Sequence, residues 1–165
     1  MNQEILNHLQ IEQKINRLAH QILENTFDET TIYVGGINGN GMLLAQLLTA
    51  VLKQNSSQEI ISYEILMNKE KPLEQAIELS ISAASIQDAC VILVDDVLNS
   101  GKTMQYALGK ILEQPVRMIK TVALVDRKHR RFPIKADFVG LSLSTTLKDR
   151  VEVSLIPNNF SAQLQ

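Results

Sequence analysis

The sequence predicts an α/β fold: one domain over residues 1–165, built as a doubly wound, mainly parallel sheet with helices on both faces. Two observations carry this expectation. Apolar stretches of strand length alternate with stretches whose apolar residues recur at helical spacing, the pattern of repeated β-α units. The most apolar run, Cys90-Val91-Ile92-Leu93-Val94, shows no polar alternation, as expected of a central parallel strand covered on both faces.

Each element has its own reason. Ile11, Ile15, Leu18, Ala19, Ile22 and Leu23 mark an amphipathic helix of about four turns. Thr31-Ile32-Tyr33-Val34 reads as a strand and residues 42–52 as the next helix, joined by Gly35-Gly36-Ile37-Asn38-Gly39-Asn40-Gly41. Four glycines in that connection point to unusual dihedrals or close approach to a ligand. Residues 60–66 form a further strand, residues 68–72 a loop, and residues 77–82 alternate like an exposed strand. Met104, Ala107, Leu108, Ile111 and Leu112 make the central helix, which Pro115 follows as a breaker. Thr121-Val122-Ala123-Leu124-Val125 is another buried strand, and residues 137–141 and 151–155 are short ones. Residues 157–165 read as a loose tail.

Composition narrows the function. At 165 residues, with 45% hydrophobic and 21% charged side chains, the chain is an ordinary globular domain large enough for a good core. A net charge of −2 and a pI near 5.9 give no global attraction to nucleic acid or an anionic membrane. No apolar run approaches spanning length and residues 1–20 are too polar for a signal peptide, so a cytoplasmic location is expected. The lone Cys90 lies in the apolar strand and reads as a small buried hydrophobe.

The chemistry concentrates where the central strand ends. Asp95 and Asp96 follow the apolar run, and Val97-Leu98-Asn99-Ser100-Gly101-Lys102-Thr103 turns into the next helix. A turn feeding a helix N-terminus presents free N–H groups and a positive dipole end, which suits a phosphate. In an open α/β sheet, ligands bind beyond the carboxyl ends of the strands. Carboxylates beside a phosphate repel it, unless they accept hydrogen bonds from a sugar's hydroxyls with a divalent cation nearby. Two commoner phosphate motifs fail: a Walker A loop needs glycine where Asp96 stands, and a dinucleotide fingerprint needs glycine where Asn38 stands. A second cluster, Asp126-Arg127-Lys128-His129-Arg130-Arg131, follows a buried strand and so lies at the same sheet edge. Lys128 and Arg131 read as solvated, whereas Asp126, Arg127 and His129 are candidates for the vicinity of a base or anion, or for a subunit contact.

Apolar strand, two acids and a turn ending in Gly101-Lys102-Thr103 together resemble the phosphoribosyl pyrophosphate (PRPP) signature of type I phosphoribosyltransferases. Leu124-Val125-Asp126-Arg127, His129-Arg130, Pro133-Ile134, Ala136-Asp137, Val139-Gly140, residues 145–151 and Arg17-Leu18-Ala19-His20 narrow the likeness. They resemble the bifunctional pyrimidine-operon regulator and uracil phosphoribosyltransferase subfamily, over roughly residues 11–153. The resemblance implies a core of about residues 11–140, a flexible loop near 68–85 that folds over substrate, and a small C-terminal hood near 141–156. It further implies that Asp95 and Asp96 hold the ribose hydroxyls, directly or through Mg²⁺, as catalytic and metal-binding residues. Residues 97–103 would hold the 5′-phosphate, and Ile37, Asn38, Gly39, Asn40 and Gly41 would form the pyrophosphate loop. The implied reaction transfers the phosphoribosyl group of PRPP to a nucleobase such as uracil, leaving a nucleoside monophosphate, in a homodimer or larger assembly. RNA is a further conceivable partner of such a regulator; a membrane is not.

One departure bears on activity. The family's pyrophosphate loop reads Gly-Ile-Lys-Thr-Arg-Gly, and here both cations are replaced, by Asn38 and Asn40. The flexible loop keeps only Lys69 and Lys71 as cations. The alternative reading is therefore a catalytically weak protein that senses PRPP or a nucleotide.

Overall fold

The structure, a computed structural model, describes residues 2–165. Its elements in order are β1 (Gln3–Leu6), α1 (His8–Thr26), β2 (Thr31–Ile37), α2 (Asn40–Asn55), β3 (Glu59–Leu66) and β4 (Glu78–Leu79). A 3-10 turn at Ala83–Ile86 leads to β5 (Cys90–Leu98), α3 (Lys102–Ile111), β6 (Met118–Asp126), β7 (Phe138–Ser142), β8 (Val151–Ile156) and β9 (Asn159–Leu164). The main sheet has the order β4-β3-β2-β5-β6-β7. All of its pairings are parallel except that of β4, a two-residue antiparallel edge.

The doubly wound expectation holds, and the residues of β5 show why. Cys90, Ile92 and Val94 pack on one face with Leu18 and Ile22 of α1 and Leu44 and Leu48 of α2. Val91 and Leu93 pack on the other with Met104, Ala107 and Ile111 of α3. Alternate side chains of one strand thus serve two cores, which requires an unbroken apolar run. α1 begins at a capping box in which Asn7 Oδ1 accepts from the Gln10 N–H at 2.9 Å and Gln10 Oε1 accepts from the Asn7 N–H at 2.9 Å.

Three local expectations are corrected. The glycine-rich connection is half strand: Gly35, Gly36 and Ile37 lie within β2 and pair with β3 and, for the glycines, β5. Gly36 belongs there because a Cβ would lie 2.6 Å from the Cα of Met42, in the first turn of α2. The strand bearing the acidic pair does not stop at Val94. It continues through Asp95 and Asp96 to Leu98, because β6 offers a matching ladder from Ala123 to Asp126. The tail at 157–165 is ordered as β9, which pairs with β8 through a Pro157-Asn158 turn. Asn158, at φ 64°, takes the left-handed conformation such turns require and asparagine tolerates.

β9 is the middle strand of a second, antiparallel sheet with the order β1-β9-β8. This sheet buries Leu6, Val153, Leu155, Phe160 and Ala162 in the same core as α1 and α2. It thereby seats β8 beside α2, at the edge of the main sheet where β5 carries its carboxylates.

Candidate active site

The carboxyl ends of β2 and β5 stand side by side in the main sheet. β5 delivers Asp95 and Asp96; the start of α2 delivers Asn40 and Gly41; the turn into α3 delivers Asn99 to Thr103. Successive strand residues point to opposite faces, so the adjacent acids differ in surroundings. Asp95 is buried and its Oδ1 accepts from the Asp96 N–H at 2.9 Å. Asp96 is half-buried, and its Oδ2 accepts from Asn40 Nδ2 at 3.2 Å. Burial, and then the neighbouring Asp96, push the Asp95 carboxyl well above the ordinary carboxylate range. The Lys69 charge pulls it back in part.

The turn after β5 encloses a cavity of ≈ 40 Å³ lined by Asp95 and residues 97–104, at the N-terminus of α3. Gly101 makes the turn possible. Its φ is 86°, and a Cβ there would come within 2.5 Å of Ile134 Cγ2. The basic cluster braces this turn from behind. Ser100 O accepts from the N–H groups of Arg131 (2.8 Å) and Phe132 (3.0 Å). Arg130 donates to Asn99 O at 2.7 Å and to Asp126 Oδ1 at 2.7 Å. The buried Arg127 donates to Asn99 Oδ1 (3.0 Å), Thr145 Oγ1 (3.1 Å) and Thr146 O (3.1 Å). His129 Nε2 lies 2.7 Å from Thr145 O. Asp126, Arg127 and His129 thus lie beside this turn and tie it to residues 145–146. All three guanidinium nitrogens of Arg127 are already engaged.

The loop at 37–41 carries no cation, and its two asparagines face inward. Asn38 Oδ1 accepts from the Met67 N–H at 3.1 Å, fastening the end of β3. Asn40 bonds Asp96 and, at 2.8 Å, the carbonyl of Val153 in β8. A cation approaches from elsewhere: Lys69 Nζ lies 3.7 Å from where a Cβ on Gly39 would stand. Lys102 Nζ donates to Glu70 O at 3.0 Å, holding the 67–72 loop against the α3 turn. Lys71 pairs with Glu74 at 3.3 Å, away from the acids.

The residues 1–154 match the phosphoribosyl transferase domain family. The chain belongs to the phosphoribosyltransferase family. Among curated relatives of this chain is the "Bifunctional protein PyrR" of Mycobacterium ulcerans, 35% identical, covering 91% of this chain and 86% of the relative. "Bifunctional protein PyrR 2" of Lactiplantibacillus plantarum is 31% identical, covering 94% and 92%. The hypoxanthine phosphoribosyltransferase of Trypanosoma cruzi superimposes with a TM-score of 0.76, covering 97% of this chain and 95% of that one. A hypoxanthine-guanine phosphoribosyltransferase of Bacillus anthracis does so with a TM-score of 0.71, covering 87% and 83%. At 17% and 19% identity these two likenesses establish the type I phosphoribosyltransferase fold and no more.

Sequence reasoning named the acids and the turn but gave Arg130 no role. Its partner Asn99 becomes a neighbour only when the 126–134 segment folds back on the turn. No local pattern signals that return.

Proposed function

We propose that this member of the phosphoribosyltransferase family transfers the phosphoribosyl group of PRPP to a nucleobase, with uracil as the first candidate. The observation that carries this reading is the placement of the Asp95–Asp96 pair beside the phosphate-sized turn at 99–103, on one sheet edge. Ribose hydroxyls donate to the two carboxylates, and the N–H groups at the start of α3 hold the 5′-phosphate. The base nitrogen bonds C1 of the ribose, the C1–O bond to pyrophosphate breaks, and the base proton leaves to solvent. Lys69 stands where negative charge gathers on the departing group.

Asp95 and Asp96 offer hard oxygen donors of the kind Mg²⁺ takes. Among the described residues no group of three or more His, Cys, Asp or Glu side chains converges to cage a metal. The two acids therefore fit an ion held by one or two carboxylates, substrate oxygens and water. When bound, Mg²⁺ offsets charge on the pyrophosphate.

The inward-facing asparagines at 38 and 40 favour a second reading, a PRPP or nucleotide sensor with weak turnover. One experiment separates the two: incubate the protein with PRPP and uracil, hypoxanthine or guanine, with and without Mg²⁺, and measure nucleotide formed and ribose 5-phosphate affinity. Mg²⁺-dependent uridine monophosphate supports the enzyme. Binding without turnover of any base supports the sensor, and neither binding nor turnover removes both. We further expect a homodimer or larger, as the subfamily resemblance implies. Light scattering at micromolar concentration giving the 18.5 kDa monomer mass removes that expectation. No helix among the described residues is long and apolar enough to cross a membrane.

A further inference from the structure

Asn40 is the first residue of α2, and its amide nitrogen has two hydrogens. Both are placed: one toward Asp96 Oδ2 at 3.2 Å, the other toward Val153 O at 2.8 Å. Both partners are acceptors. The reverse orientation of the amide would set its oxygen against a carboxylate and a carbonyl, so chemistry fixes which way it points. Val153 lies in β8, an outer strand of the small sheet, whose far edge has no ladder partner among the described residues. Among the described residues this is the one side chain that hydrogen-bonds both the acidic pair and the small sheet.

We propose that Asn40 is a positioning residue that couples the ribose-binding carboxylate Asp96 to β8, so that occupancy of the sugar site and seating of the small sheet are linked. The proposal rests on the phosphoribosyl reading for the identity of the ligand, though not for the tie itself. An amide here performs what an aspartate of equal size cannot, since the aspartate has no hydrogen to give at neutral pH. Coupling of this kind is reciprocal: whatever orders Asp96 orders β8, and loosening β8 loosens Asp96.

The test uses Asn40→Asp and Asn40→Ala, with ribose 5-phosphate and Mg²⁺ as the probe. Asn40→Asp keeps the volume but removes both donors and sets a carboxylate against Asp96, whereas Asn40→Ala removes both donors without adding charge, so an effect shared by the two belongs to the lost tie. In the ligand-free proteins, amide hydrogen exchange across Val151–Ile156 should quicken at least tenfold in both variants, with exchange in β5 unchanged. Adding ribose 5-phosphate to the wild type should slow exchange at residues 100–104 and at Val151–Ile156 together. In either variant only residues 100–104 should respond, with affinity reduced about tenfold. Unchanged β8 exchange in Asn40→Ala overturns the proposal, as does an effect confined to Asn40→Asp, which charge repulsion alone would give. If ribose 5-phosphate protects nothing in the wild type, the phosphoribosyl reading fails, and the ligand-free comparison still decides the tie.

Discussion

Replacing Asp95 by asparagine separates what this residue does for folding from what it does for binding. The carboxyl is buried, and its Oδ1 accepts from the Asp96 N–H, a role that the asparagine Oδ1 keeps. Burial and the adjacent Asp96 penalise its charged form. The folded-state pKa is raised, so the wild type is at its best below the ordinary carboxylate value and loses stability as pH rises through the raised one. Asparagine carries no such penalty, and its amide can donate to Asp96. Relief of about 1 kcal/mol raises Tm by about 2–4 °C in a protein of this size. The gap over wild type should widen from pH 4 to pH 8. Binding moves the other way: taking away the carboxyl that a sugar hydroxyl pairs with in a buried site costs about 1–3 kcal/mol, so ribose 5-phosphate affinity should fall about five- to a hundredfold. Differential scanning calorimetry over that pH range and titration calorimetry at pH 7.5 measure both effects. A variant less stable than wild type at pH 8 would refute the burial argument. Unchanged affinity would move the sugar site elsewhere.

Three further outcomes are expected. Lys69→Ala should cut phosphoribosyl transfer roughly a hundredfold, as loss of one preorganised charge does, while ribose 5-phosphate affinity stays within about twofold and Lys71→Ala, which removes only the Glu74 pairing, changes neither in steady-state and binding assays. Gly101→Ala must hold a non-glycine residue at φ 86°, costing about 1–2 kcal/mol, and crowd Ile134, so thermal melts should show a lower Tm and titrations a loss of ribose 5-phosphate binding of more than tenfold. Glu29→Gln breaks the paired hydrogen bonds from Arg117, which hold the Glu29 carboxyl below its ordinary value of 4.5; its Tm deficit in thermal melts should be about 1–3 °C above pH 4.5 and shrink as pH falls below it, small because Arg117 is half exposed.

The sequence reveals those parts of this protein whose cause is local. Cys90 to Val94 had to be a buried strand because each side chain is apolar and β-compatible, and Met104, Ala107 and Ile111 had to share a helix face. The acids and the glycine turn were legible because their order along the chain is itself the geometry. β1 and β9 were not. Both are short and mix polar with apolar residues; β9 becomes a strand by pairing with β8 across a two-residue turn, and β1 only by pairing with β9 from the far end of the described residues. The same holds for Arg127 and Arg130. Nothing near them in sequence says that their guanidinium groups will close on Asn99 and Thr146 rather than on a ligand.

The small sheet also has a consequence for the order in which the protein assembles. Its middle strand pairs Gln3 with Leu164, so the sheet joins opposite ends of the described chain. Closing a loop of that length costs about 4–5 kcal/mol of chain entropy, against about 3 kcal/mol for the β-α unit that joins β2 to β3. The main sheet can therefore form from sequential, short-range encounters, with the small sheet docking afterwards onto an existing α1–α2 surface. In refolding, the two ends of the chain should be the last parts to find each other. A linker joining them should speed that final step without touching the acidic pair.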